Sequence, residues 1–137
     1  MKIIQKNPPN FDEIVKTFDI SKSEPLFTYA PDIYNPHKSP ISPDLMLHEM
    51  VHIKQQGDNP KEWWDKYLTD KKFRLEQEVE AYGIQFASLK SVVRDDISKQ
   101  FLTRFAVVLS SPMYGSMLSL QEAESKIRNY AKNCLTS

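Results

Sequence analysis

Apolar residues recur at helical spacing in most of this chain, and where the spacing fails, prolines explain why. Phe11, Ile14, Val15 and Phe18 follow Asn10 at helical intervals and predict a first helix. From Ile20 to Pro43 the pattern changes, because five of the nine prolines (Pro25, Pro31, Pro36, Pro40, Pro43) fall there and exclude a continuous helix. Leu26-Phe27-Thr28-Tyr29 is the best strand in that stretch. Asp32-Ile33-Tyr34 is a second, and Lys2 to Gln5 adds a possible third at the N-terminus.

The next helix has clear ends. Ser42 suits an N-cap, Pro43 the first helical position and Asp44 the positive end of the dipole, while Gly57 stands where a helix must stop. The prediction is one helix from Pro43 to Gln56, with Met46, Met50 and Ile53 on its buried face. Asn59 and Glu62 frame the start of a short helix carrying Trp63, Trp64, Tyr67 and Leu68. Asp70 caps a longer one reaching about Val93, whose seam is Leu75, Val79, Tyr82, Phe86, Leu89 and Val93. Asp96 to Leu109 repeats the pattern through Ile97, Phe101, Phe105 and Val108. After a Ser-Ser-Pro-Met-Tyr-Gly loop, Ser119 and Glu122 open a last helix with Leu120, Ala123, Ile127, Tyr130 and Cys134 on its apolar face. The expected fold is α+β and mostly helical, a single domain over residues 1–137 with a small N-terminal sheet.

Composition narrows the class. With 137 residues, 40% hydrophobic and 26% charged, the chain can bury one core and reads as globular. Eighteen basic and eighteen acidic side chains cancel, so no global field draws in nucleic acid or an anionic membrane. The longest apolar run, Phe105 to Leu109, is too short for a bilayer, and the N-terminal residues lack a signal-peptide pattern. A single cysteine, Cys134, fits a reducing compartment, so the expected location is cytoplasmic.

The chemistry lies in the run His48-Glu49-Met50-Val51-His52. Two histidines four apart on a helix share a face, with Cβ atoms about 6 Å apart. That spacing lets two imidazoles reach one zinc ion at about 2.0–2.1 Å each. Glu49 is turned about 100° from His48, wrong for a ligand but right for a base beside a water whose pKa zinc lowers to about 7. The chain has only three histidines, and two of them are spent here on a well-delimited helix.

Together, Leu47-His48-Glu49-Met50-Val51-His52 and the later Glu78-Val79-Glu80-Ala81-Tyr82 resemble the gluzincin metallopeptidases, in particular the small ImmA/IrrE-like and phage-encoded zincin-like peptidases. The resemblance covers about residues 26 to 89 and rests on these two motifs. It implies a zinc-dependent hydrolase acting on a peptide or protein substrate, with His48, His52 and Glu78 as ligands and Glu49 as general base. It also implies that a peptide lies along an edge strand at Leu26 to Tyr29. The chain departs from the pattern at Tyr82, where such families often carry an Asp or Asn that orients a ligand histidine; Gln77 is one candidate to supply that hydrogen bond. Helix geometry bears on the third ligand as well. At about 100° per residue, Glu78 lies about 60° from the centre of its helix seam, Glu76 about 100° and Glu80 about 140°, with Glu80 on the solvent side beside Gly83, Ala87 and Ser91.

Other residues carry weaker expectations. Tyr114 and His37 are candidates to hydrogen-bond a developing oxyanion, although a packed tyrosine and a solvated loop histidine are the commoner cases. Trp63, Trp64 and Tyr67 read as core sooner than as a substrate cleft. Lys71, Lys72 and Arg74 are too few to bind nucleic acid, and Cys134 reads as packing. The alternative to catalysis is a silent zincin-fold module that binds metal or a protein partner without turnover.

Overall fold

The computed structural model describes residues 1–136, and backbone contacts group them into two compact units that meet in sequence at Thr69 and Asp70. The chain is mostly helical with a small N-terminal sheet, the α+β class its pattern predicts. No helix among the described residues is long and apolar enough to cross a membrane.

The first unit contains β1 (Ile3–Ile4), α1 (Phe11–Thr17), β2 (Phe27–Tyr29), β3 (Asp32–Tyr34), α2 (Pro43–Gln56) and α3 (Pro60–Thr69). The sheet order is β1-β3-β2, with β1 parallel and β2 antiparallel to the central strand. Ile33 on β3 is fully buried, and its main-chain N–H bonds to Lys2 O on the β1 side. Thr28, its partner in register on β2, is therefore in a non-hydrogen-bonded pair, and its own peptide groups face the outer edge of the sheet. Helix α2 packs on β2. On α3 the rings of Trp63 and Tyr67 stack at 4.7 Å, with Trp64 edge-on to both, so the aromatic cluster is core as expected. The α3 cap also forms: Asn59 Oδ1 accepts from Glu62 N at 3.2 Å, and Asn59 Nδ2 donates to the Glu62 carboxylate at 2.9 Å.

The second unit is helical: α4 (Lys71–Lys90), α5 (Asp95–Leu109), a 3-10 turn at Pro112–Tyr114 and α6 (Leu120–Thr136). Asp70 caps α4 by accepting from the N–H groups of Lys72 and Phe73. The helix ends at Lys90, short of Val93, but the expected seam does face the core: Leu75, Phe86 and Leu89 are buried and Val79, Tyr82 and Val93 pack against them. The opposite side of α4 differs from expectation. Gly83 is buried, because α6 crosses there so closely that a Cβ on Gly83 would lie 2.7 Å from the Tyr130 ring. Glu80 is likewise half-buried and accepts a 2.7 Å hydrogen bond from Tyr130 Oη.

Two helices keep the middle of the expected face and shift its edges: Phe105 on α5 and Ala123 and Ile127 on α6 are buried as predicted. On α5 the buried set is Ser98, Leu102, Phe105, Ala106 and Leu109, while Val108 is exposed and Ile97 only half-buried. Small Ala106 permits close packing, and the Ser98 hydroxyl bonds to Asp95 O, so it can be buried without an unmet polar group. On α6 the buried line is Ala123, Ile127 and Ala131; Leu120 and Cys134 are exposed, so Cys134 is not a packing residue. The α6 capping box does form, with Ser119 and Glu122 exchanging two bonds of 3.1 Å.

Candidate metal centre

The candidate ligands begin with α2, whose ends lie where local chemistry puts them. Pro43 occupies the first turn, Asp44 complements the dipole, and Gly57 closes the helix at φ 56°, a left-handed value that suits a residue without Cβ. Gly57 N–H bonds to Ile53 O at 3.0 Å. Ser42 has the extended backbone of a cap, but its side chain makes no capping bond.

The buried face of α2 is the reverse of the expected one. Met50 is 44% exposed and Leu47 38%, and Met46 and Ile53 are only half-buried. His48, Glu49, Val51, His52 and Gln56 are the buried residues. A helix that turns polar groups inward must satisfy them there, since an unmet buried donor or acceptor costs about 1–3 kcal/mol. Three such partnerships are visible. Thr28 Oγ1 donates to Glu49 Oε2 at 2.7 Å. Nδ1 of His52 lies 2.8 Å from Gln55 Oε1. Gln56 donates from Nε2 to Thr28 O at 2.9 Å and accepts from Ala30 N at 2.7 Å.

The histidine rings are set at 78° to one another with centroids 5.0 Å apart, as the four-residue spacing requires. His52 also packs on Trp63, centroid to centroid 5.4 Å. Glu78, on α4, is 6% exposed, and His48 and His52 are 6% and 5%. One candidate ligand atom from each of His48, His52 and Glu78 lies within 4.8 Å of the other two. Tetrahedral zinc bonds of about 2.0–2.1 Å place ligand atoms about 3.4 Å apart. Two imidazoles and one carboxylate suit zinc and other first-row divalent metals, and three protein ligands leave a fourth position open. These residues therefore form a buried cluster that could hold a metal ion.

The other candidates fall outside this cluster. Glu76 is exposed and Glu80 is engaged by Tyr130. Tyr114 is 2% exposed within the core of the second unit, and His37 is exposed. The ring of Tyr82 packs on Phe105 at 4.8 Å. Three supporting residues escaped the sequence reading: Thr28, Gln55 and Gln56. For Gln55 the signal was available, since a residue three positions after a ligand histidine shares its face. Thr28 and Gln56 required knowledge of the packing of β2 on α2.

The outer edge of β2 is partly closed. Thr28 O accepts from both Gln56 Nε2 and Trp64 Nε1, each at 2.9 Å, and Ala30 N–H is taken by Gln56. A peptide laid along this edge, as the resemblance implies, would find those two backbone groups already bonded. The sequence matches no protein-family model, no curated protein and no solved structure.

Proposed function

We propose that this chain is a zinc-dependent metallopeptidase of the gluzincin type, hydrolysing a peptide bond with Glu49 as general base. The observation that carries the reading is the buried trio His48, His52 and Glu78 together with a buried glutamate next in sequence to a ligand. Zinc bound there would polarise the scissile carbonyl and acidify a water molecule. Glu49 has one oxygen bonded to Thr28, which fixes its rotamer and leaves the other to accept a proton. Glu49 takes that proton from the attacking water and returns it to the leaving amine as the C–N bond breaks. Burial strengthens these interactions by excluding bulk solvent.

Elemental analysis of the purified chain tests the metal, with about one zinc per chain expected and loss on chelation. No transition metal after zinc is supplied would refute it. Peptide-library cleavage by the wild type and by Glu49→Gln tests the chemistry. The variant should keep zinc and fold yet lose hydrolysis, since only the proton acceptor is removed. Zinc binding without cleavage of any library member would favour the silent metal-binding module.

A further inference from the structure

Gln55 is the nearest polar neighbour shown for the ring of His52, and its chemistry decides which ring nitrogen faces a metal. The two are three residues apart on α2, the spacing that brings side chains together on one helix surface. Gln55 presents its amide oxygen to Nδ1 at 2.8 Å. An amide oxygen only accepts, so Nδ1 must carry the hydrogen. A neutral imidazole has one N–H, and the lone pair is then left on Nε2.

We propose that Gln55 is a positioning residue that holds His52 in its Nδ1–H tautomer and so presents Nε2 as the metal ligand. The inference rests on the metal reading above, but concerns a residue that the reading does not use. Beside the Gln55 contact, the His52 ring packs against the rings of Trp63 and His48, with centroids 5.4 Å and 5.0 Å away. A metal cannot bind a nitrogen that carries hydrogen, so a ring free to adopt the other tautomer would have to exchange a proton before binding. The resemblance to gluzincins leads one to expect an acidic or amide group from the downstream helix in this task. Here the ligand's own helix supplies it, which accounts for the site's tolerance of Tyr82 where such families often carry that group. Gln55 is neutral, so it fixes the ring without adding a buried charge. A carboxylate in its place would accept the same hydrogen bond and raise the basicity of the ligand.

Long-range ¹H–¹⁵N correlation spectra of the metal-free chain, labelled at histidine, read the tautomer directly. His52, assigned by its absence from His52→Gln, should be protonated at Nδ1 in the wild type and in Gln55→Glu, and should lose that preference in Gln55→Leu. Zinc affinity, measured by chelator competition, should fall about 10- to 100-fold in Gln55→Leu and be restored in Gln55→Glu. An Nε2–H signal for wild-type His52, or unchanged zinc affinity in a folded Gln55→Leu, would overturn the proposal. Should Gln55→Leu fail to fold, the wild-type tautomer and the Gln55→Glu affinity still decide it: an Nε2–H ring or a 10-fold loss in Gln55→Glu counts against it. Failure of the metal reading has a different signature: a wild type that binds no zinc whatever its His52 tautomer, which removes the role of Gln55 toward a metal as well.

Discussion

Thr28 donates its hydroxyl to Oε2 of Glu49 at 2.7 Å, and both residues are buried. This bond ties the middle of β2 to the residue proposed as base, across 21 positions of sequence. Replacing the hydroxyl by a methyl in Thr28→Val keeps the shape and leaves a buried carboxylate oxygen without its donor. A loss of about 1.5–3 kcal/mol is expected, because the acceptor is charged. Thr28→Ser should recover most of it. Urea denaturation of the three proteins checks the order, and equal midpoints for wild type and Thr28→Val would show that the bond contributes nothing.

The three glutamates of α4 should respond differently to alanine. Glu78→Ala removes one member of the buried trio and should lower zinc affinity steeply, because two imidazoles alone are a poor chelate. Glu76→Ala changes an exposed side chain and should leave affinity unaltered. Glu80→Ala should also bind zinc normally while losing the Tyr130 hydrogen bond. Isothermal titration with zinc separates these outcomes; normal binding by Glu78→Ala would remove it from the ligand set.

Gly83 is required by the close crossing of α4 and α6. A Cβ there would stand 2.7 Å from Tyr130 Cδ1 and 2.8 Å from Tyr130 Cβ. Gly83→Ala gains about 1 kcal/mol of helix propensity, but overpacking of this kind costs about 1–3 kcal/mol, so a net loss of stability is expected. Trimming the ring in Gly83→Ala/Tyr130→Ala should not restore packing, since the Tyr130 Cβ remains. Thermal melts of the single and double variants test this, and a Gly83→Ala chain more stable than the wild type would contradict the geometry.

Tyr130 should titrate late. Burial, and then its hydrogen bond to the Glu80 carboxylate, push its hydroxyl up to about 12 from the usual 10. The folded state therefore favours the protonated phenol. That contribution to stability is complete below pH 10 and is lost as pH rises through about 12. Ultraviolet titration should show a late tyrosine step that disappears in Tyr130→Phe and moves to lower pH in Glu80→Ala. A Tyr130 that ionises near the ordinary tyrosine value of 10 would refute the interaction.

Much of the proposed site was legible before any packing was known. Pro43 and Gly57 delimit α2 by backbone geometry, and a four-residue spacing puts two histidines on one face of any α-helix. Asp70, Asn59 and Ser119 start their helices through hydrogen bonds within three residues, so those starts are local properties as well. The preference for Glu78 over Glu76 and Glu80 used the seam of α4, which does face the core, although the Glu80 side that the same reasoning gave to solvent is half-buried against Tyr130.

What tertiary structure decided is which face each remaining helix buries and which groups meet across distance. Helices α5 and α6 carry apolar residues on more than one side, and only their neighbours select Ala106 over Val108 or Ala131 over Cys134, because small residues allow the closest approach. On α2 the outcome reversed the hydrophobic pattern: Met50 faces out and His48, Glu49 and His52 face in. No periodicity could announce that, since burying polar groups becomes acceptable only when partners arrive from elsewhere. For Glu49 and Gln56 those partners are Thr28 and Ala30, brought to them by the packing of β2 on α2.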